Sequence, residues 1–280
     1  FLSTGESENF ANGTTFEMIY SLHWLDISFC NIVFKYILLI EKSLKTKIAY
    51  FIGEYISIDH NVYTQDFRKY ASTHGNRNGV MSDLREVISD CRNDSVTSYY
   101  KTEKNHIPPW ILVNDIQFGL ALQWYSILKD NGKDRIANQL IGAYTDLSQM
   151  EKKEFITKQL QILRSFRNKT AHSNRAFNIS ISENTPKKQL LMICGDFVLS
   201  PNEFDNCYGN GDIYSVILTI IILINDPLVL SNFFRELVLF IEPYSDNKTQ
   251  FIDKDIFQLF NLPNNFLDRI KYFIENKKYS

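Results

Sequence analysis

The chain has 280 residues, 44% of them hydrophobic, with a formal net charge of −2. That is enough apolar material for a substantial core in one large domain or two closely packed ones. The near-neutral charge excludes a globally basic nucleic-acid binder, so any affinity for a polyanion must come from local clustering.

Thr14, with Glu17 three residues on, offers a capping box at the start of a long helix expected over 14–57. Phe16, Ile19, Leu22, Ile27, Cys30, Val33, Ile37, Leu44, Ile48 and Ile52 recur there at three- and four-residue steps, the period of a helix and not of a strand. Shorter helices are expected over 62–71, 80–92 and 94–104. A break comes at His106, Pro108 and Pro109, because consecutive prolines fix φ and remove donors. Trp110 is expected to anchor packing after that break. Residues 111–129 and 133–143 read as a further pair separated by a turn at Asn131-Gly132. A helix over 148–173 opens on a second capping box, Ser148 with Glu151. The segment from 178 to 201 is the least helical part. Its β-favouring runs at 179–181 and 190–193 predict a small irregular or β-hairpin insertion near 179–200. Helices resume over 212–224, 227–242, 252–261 and 264–275. The expected fold class is therefore all-α.

Cys30, Cys91, Cys194 and Cys207 show no CxxC spacing, so they read as reduced packing residues, and neither a metal site nor a cofactor is expected. The apolar run over 213–224 falls short of the ~20 residues that span a bilayer. No cleavable secretion signal is visible. The expectation is a cytoplasmic protein with no membrane partner.

Chemistry concentrates in Arg167-Asn168-Lys169-Thr170-Ala171-His172. Arginine supplies a permanent charge and a planar donor fork for phosphate oxygens, and histidine, with an unperturbed pKa of about 6.5, exchanges protons near neutrality. Asn168 and His172 share a helix face, one turn apart. Arg167 and His172 diverge by about 140° on an ideal helix, so the arginine must bend back or act across an interface. Arg164 and Arg175 extend a polar, basic stripe, while Leu160, Leu163 and Phe166 supply the buried side. Lysines accumulate nearby at 152, 153, 158, 169, 187 and 188. A helix end closed by ion pairs, or an ordinary solvated face, would use the same residues. Arg68 and His74 share the loose spacing but lack the surrounding stripe.

The stretch LRSFRNKTAHSNRAFN resembles the signature of the AbiD/AbiF-like abortive infection proteins, a branch of the HEPN superfamily. Leu163, Arg167, Asn168, Ala171, His172, Arg175, Phe177 and Asn178 fit the pattern, with phenylalanine where the family more often has tryptophan. The long helix, with its aspartate and an I-E-x-x-L-K-T run, and the segment PPWILVNDIQFG are also similar to family elements. The resemblance extends over about 14–225. It implies one continuous Abi-like domain, in which an N-terminal helical region, 1–146, packs on HEPN-like catalytic and C-terminal helices, 147–280. Family members carry further residues ahead of the first matched helix, and a chain that begins at Phe1 without methionine is expected to lack part of that head.

The resemblance implies a HEPN-type helical bundle and a metal-independent endoribonuclease of phage defence, with His172 as general acid or base, Arg167 stabilising phosphate charge and Asn168 orienting. Arg164, Lys169, Arg175, Lys158 and Asn178 are the candidate RNA-binding residues. A single histidine cannot both remove and donate a proton, so a homodimer with facing motifs is implied. A regulatory small RNA is an expected partner besides the substrate. The alternatives are a non-catalytic HEPN module that binds RNA or protein, and a helix terminus that stabilises a dimer core.

Overall fold

The computed structural model describes residues 13–72, 76–171, 175–245, 251 and 254–279. Among them are fourteen α-helices and no strand: α1 Phe16–Tyr55, α2 His60–Gln65, α3 Arg77–Ser89, α4 Val96–Glu103, α5 Pro109–Leu112, α6 Phe118–Ile127, α7 Asp130–Ile141, α8 Gln149–Ala171, α9 Lys187–Cys194, α10 Pro201–Asp205, α11 Ile213–Leu223, α12 Pro227–Ile241, α13 Ile256–Leu259 and α14 Phe266–Glu275. The chain forms two compact units, one of residues 1–37 with 165–279 and one of 38–164, and the divisions fall inside α1 and α8.

By length and composition α1 could cross a bilayer. Its buried residues Leu22, Leu25, Phe29, Val33, Ile37, Ile40, Leu44, Ile48 and Ile52 nevertheless keep the three- and four-residue steps of a core helix. The helix is capped by Thr15, whose Oγ1 accepts the Met18 N–H at 3.3 Å, and not by Thr14, whose hydroxyl is buried without a partner among the described residues. The Ser148 box forms as expected: Glu151 accepts from the Ser148 N–H at 2.9 Å, and Ser148 Oγ accepts the Glu151 N–H at 3.3 Å.

In the 38–164 unit, helix α3 packs against α2, α4 and α6. A buried polar chain ties these elements: Trp124 Nε1 donates to Tyr70 OH at 3.1 Å, Tyr70 OH to the Tyr63 carbonyl at 2.7 Å, and Tyr63 OH to the Ile107 carbonyl at 2.7 Å. Each hydroxyl would otherwise be a stranded buried donor. Four expectations need correction here, the first being that 111–129 is not one helix, because α5 ends at Leu112 and α6 begins at Phe118. Residues 62–71 are not one helix, since Asp66 ends α2 and caps a 3-10 turn at Phe67–Lys69. Asn131-Gly132 is not a turn but lies inside α7, where a Cβ on Gly132 would sit 2.7 Å from the Phe51 ring, so glycine is required by close helix approach. Trp110 is half exposed at 50% and anchors less than its size suggests.

The other unit is built around α11, all eleven residues of which are buried. Phe29 of α1 lies 5.4 Å from Phe240 and 4.6 Å from Phe260 between ring centroids, and Tyr36 lies 4.5 Å from Phe233. Lys35 pairs with Glu236, which also accepts from Tyr36 OH at 3.1 Å. Of the two forms expected near 179–200, residues 179–186 take the irregular one and no hairpin forms, while 190–193 belong to α9, whose buried Leu190, Ile193 and Cys194 keep helical spacing before Gly195 ends it. Ser200 and Glu203 form a capping box at α10, a helix not anticipated. The Glu203 carboxylate also takes a bidentate pair from Arg269, at 2.7 and 3.0 Å.

Because α11 is buried, its ends must be satisfied from within. Asp212 caps the start, accepting from Ser215 N at 2.8 Å and Gly209 N at 3.0 Å. The Lys277 ammonium closes the other end, donating to the carbonyls of Ile221 at 2.6 Å, Ile222 at 2.9 Å and Ile224. Burial pushes that ammonium down to about 7. Replacing Lys277 with Met leaves those carbonyls unpaired and is expected to destabilise by roughly 1–3 kcal/mol or more, read from denaturant unfolding.

Two carboxylates give opposite pH signatures. The Arg269 hydrogen bonds hold Glu203 at about 2 against an ordinary 4.5, so its stabilisation is complete above pH 4.5 and lost as pH falls towards 2. Burial raises Asp212 from 3.8 to about 6 against its hydrogen bonds, so its contribution is complete below 3.8 and lost as pH rises through 6. Unfolding midpoints across this pH range should lose their acid limb in Glu203→Gln. They should flatten between 3.8 and about 6 in Asp212→Asn.

Candidate functional site

Helix α8 presents the motif residues on its last turns and ends at Ala171. His172 lies outside the described residues, as do Ser173 and Asn174. The chain is described again from Arg175, with a 3-10 turn at Ala176–Asn178.

Within the unit that holds the end of α8, Arg167 and Asn168 come together, the arginine Nη1 donating to Asn168 Oδ1 at 3.2 Å. The guanidinium lies 6.0 Å from the Phe34 ring centroid, at the outer limit of cation–π attraction. Its Nε is buried and makes no hydrogen bond among the described residues, and no carboxylate pairs with the side chain there. An arginine held by an amide and an aromatic ring keeps donors and charge available for an anion. Phe166 beside it is fully buried, so the helix cannot rotate without exposing the core.

The segment after the motif is held at four points. Asp26 of α1 accepts from the Ala176 N–H at 2.7 Å and the Phe177 N–H at 3.3 Å. Lys169 Nζ donates to the Ser180 carbonyl. Ile181 N–H donates to the Gly211 carbonyl at 2.8 Å, and Ser165 Oγ donates to Glu183 Oε1 at 2.5 Å. Gly211 has φ +72°, and a Cβ there would lie 2.4 Å from the Ile181 carbonyl oxygen, so only glycine allows this approach. Burial raises the Asp26 carboxyl, while the two amides and the Arg175 charge oppose the rise. Cys30 is no nucleophile, because burial, with Asp26 adding to it, pushes its thiol to about 12.

The remaining candidates are distributed differently from their sequence stripe. Lys169 is engaged as a tie to Ser180. Arg175 is exposed, its guanidinium 5.8 Å from the Phe177 ring centroid. Asn178 closes the 3-10 turn. In the 38–164 unit, Lys158 is exposed, and Arg164 lines a cavity with Asp83, Glu86, Asp90 and Asp115, a setting more acidic than basic. Arg68 forms a bidentate pair with Asp66, at 2.8 and 3.2 Å, and His74 lies outside the described residues.

Asp26, the aspartate that the long helix shares with the family elements, has no assigned role in the sequence pattern, although its setting carries a signal. It is the lone charged side chain between Glu17 and Lys35, and a carboxylate in so apolar a stretch needs a buried partner. Asp26→Ala should cost roughly 1.5–3 kcal/mol and accelerate exchange of the Ala176 amide, whereas Asp26→Asn, which keeps an acceptor oxygen, should cost less. Denaturant unfolding and amide hydrogen exchange check both.

Residues 1–178 match the family model described as Abi-like protein. No curated protein and no solved structure matches the chain. With more than half its length matched, including Asp26, α8 and the anchored turn at Ala176–Asn178, the chain belongs to the Abi-like protein family, which associates it with abortive infection as a phage-defence response.

Proposed function

We propose that the chain is a HEPN-type endoribonuclease that needs no metal for catalysis and acts as the effector of an abortive-infection response. The observation that carries this reading is Arg167, a half-buried guanidinium bonded to Asn168 and free of any carboxylate among the described residues, on the helix that ends one residue before His172. Structural arginines in helices are commonly neutralised by a carboxylate, as Arg269 is by Glu203. Arg167 instead keeps its charge for an external anion, which favours a phosphate-directed role.

In the proposed reaction the 2′-hydroxyl of a ribose attacks the adjacent phosphorus. The O2′–P bond forms, the P–O5′ bond breaks, and the products are a 2′,3′-cyclic phosphate and a 5′-hydroxyl. His172 takes the 2′-hydroxyl proton or supplies the one that the departing 5′-oxygen needs, a role worth roughly 10²- to 10⁴-fold. Arg167 neutralises charge on the non-bridging oxygens, and Asn168 orients the hydroxyl or the imidazole. Two proton transfers call for two histidines, so a homodimer with facing motifs is the working form. Arg175 and Phe177 offer charge and a ring to the RNA, and a small structured RNA is the proposed regulator. Arg164, Lys158, Lys169 and Asn178 remain proposed as secondary contacts. The setting is cytoplasmic. DNA lacks the nucleophile and is spared.

Labelled RNA and DNA incubated in EDTA with wild type, Arg167→Ala and His172→Ala test this. Wild type is expected to cut RNA alone and leave cyclic-phosphate ends, with each variant at least about 10²-fold slower at matched thermal stability. RNA left equally intact by wild type and His172→Ala, with binding that weakens with salt and on Arg175→Ala, would instead identify a non-catalytic binding module.

A further inference from the structure

Two of the five histidines meet far from the motif in sequence, in the 38–164 unit. Asp59, His60 and His106 each offer one metal-ligating atom, and these atoms all lie within 4.8 Å of one another. His60 and His106 are brought together by packing, not by local spacing. Asp59 caps α2, its Oδ1 accepting from Asn61 N at 2.9 Å and Asn61 Nδ2 at 3.3 Å, and no hydrogen bond to its Oδ2 is found among the described residues. His60 Nδ1 faces that carboxylate, 3.7 Å from Oδ1. The same nitrogen accepts the Ile107 N–H at a long 3.4 Å. His106 arrives on the loop after α4, where its own N–H donates to the Tyr100 carbonyl at 3.3 Å. The next residue is fixed by the buried bond from Tyr63 OH to the Ile107 carbonyl, and Pro108 and Pro109 stiffen the backbone beyond it.

A tetrahedral ion with bonds of about 2.0–2.2 Å places its donors roughly 3.3–3.6 Å apart. The separations here, none above 4.8 Å, are wider than that and call for side-chain rotation to close on an ion. Two imidazoles and one carboxylate suit a borderline transition ion better than magnesium or calcium, which prefer all-oxygen shells. The three side chains are half-buried. A bound ion would replace the long Ile107 contact and clamp the start of α2 to the 106–109 loop.

We infer that Asp59, His60 and His106 form a binding site for a divalent transition ion of the zinc class, separate from the Arg167 motif. The test is titration of the full-length chain with zinc against a chromophoric chelator, together with thermal melting with and without zinc and with magnesium as control. Wild type is expected to take up one zinc per chain and melt at higher temperature with zinc but not magnesium. His60→Ala, His106→Ala and the milder His106→Gln are expected to lose both effects, while His172→Ala and Cys207→Ser keep them. Absence of stoichiometric zinc binding by wild type overturns the inference. So does uptake that persists in both His106 variants, which would identify other histidines or cysteines as the ligands. Neither outcome depends on RNA cleavage, so the site stands or falls apart from the proposed nuclease activity.

Discussion

The unit that carries the motif depends on satisfying a helix that water never reaches. Every residue of α11 is buried, so its unpaired terminal N–H and carbonyl groups have no solvent to turn to. Asp212 meets the first need and Lys277 the second, each charge opposing the partial charge of the helix end it faces. Burying either group is costly, as the upward displacement of Asp212 and the downward displacement of Lys277 record. The cost is tolerated because the alternative is a set of stranded backbone groups beneath a core of isoleucine and leucine.

That buried end also governs the surroundings of the motif. Gly211 immediately precedes Asp212, and its carbonyl receives the Ile181 amide, so the chain returning from the motif is pinned to the start of α11. Asp26 holds the earlier part of the same return, and Lys169 and Ser165 bind it to α8 itself. The residues on both sides of 172–174 are thus fixed by partners drawn from α1, α8 and the turn before α11. Such multiple anchoring suits a site in which charge must be held in place before reaction, since reorganisation would otherwise consume much of the gain.

Much of this was legible in the chain, for identifiable reasons. Helical periodicity over α1 and α8 is long and regular, and the Ser148 box is a purely local device, so both survive folding unchanged. The errors arose where distant contacts decide. Gly132 has the local signature of a turn, yet Phe51 makes it a helix contact. Residues 190–193 favour strands by composition, yet burial at helical spacing between Pro186 and Gly195 makes them helical. Asp26 and the Asp59, His60 and His106 cluster carry no spacing motif, because their partners lie 150 and 46 residues away. At the site itself, the pairing of Arg167 with Asn168 comes from adjacency, whereas the lack of a carboxylate partner for Arg167 among the described residues is a property of the fold.

Charge shows the same distinction most sharply. In sequence, Arg164, Arg167, Lys169 and Arg175 form one basic stripe. In the fold, Arg164 lines a cavity shared with Asp83, Glu86, Asp90, Arg92 and Asp115, and Lys169 is spent on a backbone carbonyl, so the stripe does not act as one basic surface. Arg167 and Arg175 remain with aromatic neighbours, Phe34 and Phe177, which preserve a positive charge without neutralising it. In a chain of net charge −2, a polyanion would therefore be met by a few well-placed guanidiniums and not by a broad positive field. Recognition of that kind depends on donor geometry more than on long-range attraction, and lysine could not replace arginine in it, because an ammonium offers neither the planar fork nor the stacking face.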